Sequence, residues 1–215
     1  MKVSVDRIDP NNTYQNVSLK CPHCGHNGTF LNLGGSDICV LDNMMCRYYL
    51  GVRRCPNQRC KGHLFFITNY DNEILFTSPS ETIPYDNDNI PEEISKAFQE
   101  AIICHSNNCF IASAIMIRKT LEEICADREA EGKNLFARLK DLSSKILIPK
   151  ELIEAMDELR LLGNDAAHIE AQTFNEVGKN EIEISIEFTK EILKAVYQYE
   201  SLLTKLRSLK SNPTT

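Results

Sequence analysis

Arg160, Asn164 and His168 recur at four-residue intervals in the stretch Glu158-Leu-Arg-Leu-Leu-Gly-Asn-Asp-Ala-Ala-His168. On a continuous helix that interval lines them along one edge. The other edge of the same stretch is apolar, with Leu159, Leu162, Ala166 and Ala167. A polar strip running beside a buried one is where a helical bundle places a working site, because side chains there are held by packing yet can meet a ligand or a partner. The plain alternative is an amphipathic helix with a solvated polar edge. Gly163 argues for something more, because glycine inside a helix costs about 1 kcal/mol against alanine. Its presence implies a close backbone approach.

A second constellation is made of cysteine. Cys21-Pro-His-Cys24-Gly and Cys55-Pro-Asn-Gln-Arg-Cys60 are two short knuckles. Two cysteines at such spacing can both point at one ion from a turn, and four thiolates close a tetrahedral, structural zinc site. The expected ligands of one Zn2+ are therefore Cys21, Cys24, Cys55 and Cys60. The alternatives are that His26, His63, Cys39 or Cys46 takes one of the places, or that Cys21 and Cys24 form a redox pair, although no thioredoxin-like β-α-β pattern surrounds them. A metal-dependent hydrolase is disfavoured, since such a site is closed and the rest of the chain has no dense Asp/His cluster at ligand spacing. Cys104, Cys109 and Cys125 have no recognisable base beside them to make a nucleophile.

Arg53, Arg54, Arg59 and Lys61 cluster at the second knuckle, near Tyr48 and Tyr49. Basic residues interleaved with aromatics can bind nucleic acid by phosphate contact and stacking. The competing reading is a solvated face that offsets the negative charge of the thiolates.

The elements that must position these groups fall into two halves. The strands expected around the knuckles are 47–54, 63–68 and 73–77, the last two separated by the turn residues 69–72. Two knuckles on a small sheet make a zinc ribbon, assigned to residues 1–80, with a turn signal at 9–12. A linker follows at 81–90, within a stretch (78–91) that holds three prolines and many turn formers. From Pro91 the pattern is helical, with segments expected at 91–105, 108–129, 134–144, 149–168 and 181–209. The bundle is assigned to 91–210 and a frayed tail to 211–215. In the second helix Phe110, Ile111, Ala114, Ile115, Leu121 and Cys125 are expected on the core face, and in the last one Ile192, Leu193, Val196, Tyr199, Leu203 and Leu206. Arg118 and Glu122 should form an intrahelical pair, with Arg118 able to reach across to the 149–168 helix. The fold class is α+β: a small β-rich zinc ribbon followed by an all-α bundle.

Charge divides the same way. Residues 1–80 carry eight Lys/Arg against six Asp/Glu, formally +2, and residues 81–215 carry sixteen against twenty-four, formally −8. An acidic bundle argues against nonspecific coating of nucleic acid. No apolar run is long enough to span a bilayer, and the first residues lack the apolar core of a signal peptide. We therefore expect a cytoplasmic protein with no membrane partner.

The cysteine knuckles, Arg118-Lys-Thr-Leu-Glu122 and Arg160-Leu-Leu-Gly-Asn-Asp-Ala-Ala-His168 together resemble the bacterial "domain of unknown function 4145" family. The likeness runs from Cys21 to the last helix, and Gly-Asn-x-x-x-His is its most specific part. Its helical domain is similar to the wider HEPN superfamily. What the resemblance implies is a four- or five-helix bundle that often dimerises. HEPN ribonucleases cut RNA without metal at a homodimer cleft, using an arginine and a histidine from each protomer; by position these are Arg160 and His168, supported by Asn164. Related domains occur in restriction and anti-phage settings, as RNases or as binding modules. One departure stands out. Seven residues separate Arg160 from His168, more than in the HEPN catalytic pattern, a rise of about 12 Å on a continuous helix. Two readings follow. In the first, a module binds nucleic acid or a partner protein, and Arg160, Asn164, His168 and the Arg118–Glu122 pair form a polar network that fixes helix packing. In the second, the protein is a metal-independent endoribonuclease. Converging, exposed heads of Arg160 and His168 would favour the nuclease; a buried, mutually satisfied set would favour the module.

Overall fold

The computed structural model describes residues 7–9, 15–34, 37–42, 44–146, 148–168 and 176–209. The 211–215 tail and most of the 9–12 turn lie outside them. The chain is α+β: a β-rich N-terminal region is followed by six helices. It divides into two compact units, Met1–Pro84 and Tyr85–Thr215.

The first unit contains β1 (Arg7–Asp9), β2 (Ser18–Lys20), β3 (Asn27–Thr29), β4 (Leu31–Asn32), β5 (Ile38–Leu41), β6 (Arg47–Arg54), β7 (His63–Asn69) and β8 (Ile74–Ser78). The main sheet runs β1-β5-β6-β7-β8, with β4 also on β6, and β2 and β3 form a separate pair. Every pairing is antiparallel. β6 and β7 are rich in aromatic and branched residues, which fit a half-buried pleated surface. Alternate residues of β6 turn inward, so Tyr49, Gly51 and Arg53 share the buried face. The core is small: Val17, Phe30, Cys39, Tyr49, Leu64 and Phe66 pack together with Cys21 and Cys55.

The second unit contains α1 (Glu92–Ser106), α2 (Phe110–Asp127), α3 (Leu135–Lys145), α4 (Lys150–Ala167), α5 (Lys179–Leu193) and α6 (Tyr199–Ser208). A π-helical turn, Lys194–Gln198, joins α5 to α6. The helix starts follow local chemistry. Pro91 precedes α1 with Glu92 and Glu93 in the first turn, and the Asn134 side chain accepts from the Ala137 amide at the start of α3. Glu181 accepts from the Gly178 amide at the head of α5 (3.1 Å). Tyr85 and Ile90, within the expected linker, belong to this unit: Tyr85 packs edge-on against Phe98, and Ile90 is buried.

The core of the bundle departs from the apolar pattern in two places. On α2 the buried face is Ala114, Ile117, Leu121, Ile124 and Cys125 together with Ser113 and Thr120, while Ile111 and Ile115 are exposed. Two hydroxyls can be buried there because each donates to a helix carbonyl: Ser113 to Ala101 across to α1, and Thr120 to Met116. In the last helical run, Ile192, Leu193 and Val196 are buried, but Tyr199, Leu203 and Leu206 are exposed. α6 continues beyond the bundle, and among the described residues the only other element it packs against is the π turn that leads into it. No helix of the described residues is long and apolar enough to cross a membrane.

Candidate metal centre and polar strip

Cys21, Cys24, Cys55 and Cys60 come together, with all four Sγ atoms within 4.8 Å of one another. Cys21 and Cys60 lie 3.9 Å apart, and Cys24 and Cys55 3.8 Å. A tetrahedron with Zn–S bonds of about 2.3 Å has edges of about 3.8 Å. The donor set and its size therefore fit a single four-thiolate metal ion.

The backbone explains why these four converge. In the first knuckle the Gly25 amide donates to the Cys21 carbonyl, and Gly25 adopts φ +70°, a left-handed turn suited to glycine. In the second, the Cys60 and Lys61 amides both donate to the Asn57 carbonyl. Amides also point at sulfur: His23 N–H reaches Cys21 Sγ and Gly62 N–H reaches Cys60 Sγ, both at 3.4 Å. The Asn57 side-chain amide lies 3.8 Å from Cys24 Sγ. Donors of this kind favour thiolate over thiol and orient the ligands. The two sides of the site differ. The backbone amide of His26 holds the exposed Cys24 thiol down to about 7, whereas burial pushes Cys55 up to about 12. A bound cation removes that conflict by holding all four as thiolates.

Among the described residues, none of the other candidate ligands, His26 included, belongs to this cluster. Cys39 is a core thiol, Cys46 is exposed in the turn before β6, and His63 contributes only its backbone carbonyl, 2.8 Å from the His23 ring.

The basic cluster separates into buried and exposed members. Arg53 is fully buried, and its two Nη atoms meet both carboxylate oxygens of Asp37 at 2.5 and 2.6 Å. The second nitrogen also donates to the Gln15 carbonyl, and the guanidinium lies over the Phe66 ring. Its expected role in nucleic-acid contact is therefore corrected: the guanidinium is committed to the core of the unit. Tyr49 is buried as well and offers no stacking face. Arg54 is half-buried, and Arg59 and Lys61 are exposed.

In the bundle, Arg160 and Asn164 lie on α4, but α4 ends at Ala167. His168 is the residue after it, in extended backbone, with its amide donating to the Asn164 carbonyl. The histidine therefore leaves the edge that the arginine and amide share. It is exposed and borders a small cavity with Ile111, Asp165 and Glu176. Arg160 looks elsewhere. Its Nε donates to Asp157 one turn earlier (2.6 Å), and its guanidinium stands 5.3 Å from the Phe136 ring of α3. No hydrogen bond or ion pair joins Arg160, Asn164 and His168 side chains among the described residues. Asp157 was the missed participant. Its position three residues before Arg160 marks it as an i,i+3 partner.

Arg118 pairs with Glu122 (3.3 Å) and its Nη1 donates to the Arg160 carbonyl across to α4 (3.2 Å). Gly163 makes that crossing close. A Cβ there would collide with Arg118 Cβ and crowd the Ala114 carbonyl at 3.1 Å.

A family model described as "Domain of unknown function (DUF4145)" matches residues 99–212, just over half of the chain. The match begins within α1, runs through the rest of the helices and does not include the cysteine knuckles. Neither the curated proteins nor the solved structures give a match.

Proposed function

The chain belongs to the DUF4145 family, and from that premise we propose that it is a zinc-stabilised, HEPN-like binding module that engages a partner protein in a bacterial defence or restriction system. Zinc held by Cys21, Cys24, Cys55 and Cys60 would be structural, because four thiolates leave no open coordination position for substrate. The observation that carries the non-catalytic reading is the separation of the strip. Arg160 is engaged by Asp157 and Phe136, while His168 sits beyond the helix end on its own cavity. A proton shuttle and an anion clamp that do not face one reacting group lack the geometry of concerted phosphate chemistry. Protein is favoured over nucleic acid as partner because the bundle is acidic and Arg53 and Tyr49 are unavailable, leaving only Arg54, Arg59 and Lys61 of the basic cluster at the second knuckle.

The second reading, a metal-independent ribonuclease built by two chains around Arg160 and His168, is favoured by the exposure of His168. The two are separated by incubating the metal-loaded protein with RNA in a chelator too weak to strip a four-thiolate site, beside the His168→Ala and Arg160→Ala variants. The module reading expects no cleavage by any of the three. Cleavage by the wild type that both variants abolish, with folding unchanged, would replace it with the ribonuclease.

A further inference from the structure

An apolar groove lies between α4 and α5, with a volume of about 410 Å3. Its floor is Ala155, Leu159 and Leu162, and its outer wall is Ile184 and Phe188, both exposed. Carboxylates rim it. Glu151, Glu154 and Glu158 follow one another along α4 at intervals of three and four, all exposed, and Glu181 stands on the α5 side. Glu154 has Lys150 at 3.0 Å; no ion pair joins Glu151 or Glu158 to a basic residue among the described residues.

α6 has the complementary character. Leu202, Leu203, Leu206 and Leu209 are spaced to form one helical stripe, and all four are exposed. Lys205 and Arg207 lie about 100° to either side of the centre of that stripe, so basic groups flank an apolar ridge. α6 spans about 15 Å, and the α4 wall from Glu151 to Leu162 about 17 Å.

The helix cannot fill the groove of its own chain. α5, the π turn and α6 form one uninterrupted helical run, with αR backbone at both junctions. Ile184 and Phe188 sit on the same run as Leu202, and Phe188 is separated from it by about 21 Å of helix. We propose that α6 docks into the α4/α5 groove of a second copy of this chain, with one of its two flanking basic groups against the Glu151 and Glu158 rim of α4 and the other on the Glu181 side of α5. Two such contacts close a two-fold dimer. This pairing does not bring the polar strips together. Asn164 lies two positions beyond Leu162 on the groove floor, about 200° of helical turn, so the strip faces away from the groove.

Sedimentation of the full, metal-loaded chain over a dilution series tests this, beside Leu206→Asp and the charge reversals Glu151→Lys/Glu158→Lys and Lys205→Glu/Arg207→Glu. These positions are exposed, so circular dichroism should be unchanged. The wild type is expected to dimerise. Leu206→Asp and each charge reversal should weaken the dimer at least about tenfold, and combining both reversals in one chain should recover affinity relative to either reversal alone. A wild type that stays monomeric at its solubility limit overturns the proposal and leaves the groove to a different protein. A dimer indifferent to Leu206→Asp overturns it in favour of another interface, as does a combined reversal no tighter than the single ones.

Discussion

The two units solve the same problem by different means. In the bundle, five helices bury apolar faces against one another: Phe98, Ile117, Leu121, Leu142, Met156 and Ile186 are all essentially closed to solvent. In the N-terminal unit the core holds six non-cysteine-ligand residues, and two of the four clustered thiols, Cys21 and Cys55, are members of that core. The cysteine cluster and the core are one object there. A small unit buries little apolar surface to balance its chain entropy, so a metal ion held by these thiols would stabilise it more than it would the longer helical unit. The contrast teaches that a ligand cluster and a packed core are interchangeable sources of order, but they fail under different insults.

The sharpest way to break the comparison is to remove one thiolate. Cys55→Ser, at a position 1% exposed, should release the metal and unfold the β-rich unit. Structural zinc contributes about 10–16 kcal/mol in small domains, comparable to the whole stability of an ordinary one at about 5–15 kcal/mol. The helical unit should survive. Metal content by mass spectrometry should fall, amide protection across β6 and β7 should be lost, and protection in α1, α2 and α4 should persist. Persistent protection of β6 and β7 in the metal-free variant would show that the sheet has sufficient core of its own.

How far these features were legible in the sequence depends on the range over which they are encoded. The knuckles are local, so spacing alone nominated Cys21, Cys24, Cys55 and Cys60, and the longer strands β6, β7 and β8 carry a run of branched and aromatic residues. β1 to β5 are two to four residues long and have no period to read. Arg53 and Arg54 are indistinguishable by type. The period of two along β6, with Tyr49 and Gly51 inward, was the signal that Arg53 turns in, but its partner Asp37 is sixteen residues away. In the bundle the helix bounds follow caps and prolines closely. The periodicity overstated the core at Ile111, Ile115, Tyr199, Leu203 and Leu206, because an apolar stripe does not say whether an element of the same chain covers it. The α4 strip failed at its last member for a local reason: the helix ends one residue before His168.

A smaller perturbation asks whether the metal is the only thing holding the β-rich unit. Arg53→Met leaves the Asp37 carboxylate buried without its bidentate guanidinium. Losing one partner of a buried pair costs about 3–5 kcal/mol. With metal bound, denaturant titration of the unit should show that loss, and the affinity for the metal should fall in step, since binding and folding are linked. An unchanged midpoint would mean that the cross-link alone fixes this fold and that the ion pair adds nothing.

The smallest effect tests the bundle, where close packing stands in place of metal. Helix propensity predicts that Gly163→Ala stabilises α4 by about 1 kcal/mol. The packing of α4 on α2 predicts the opposite. The added methyl would meet Arg118 Cβ, the stiff base of a side chain whose far end is tied to Glu122 and to the Arg160 carbonyl. Backbone must move to accommodate it, and overpacking of that kind costs about 1–3 kcal/mol. The sign of the change therefore decides the matter. A lower melting temperature with the Arg118 contacts disturbed would place the glycine in the service of the helix crossing, whereas a rise would mean that α2 and α4 slide apart without cost. The same variant should leave metal content untouched, because nothing it displaces belongs to the N-terminal unit.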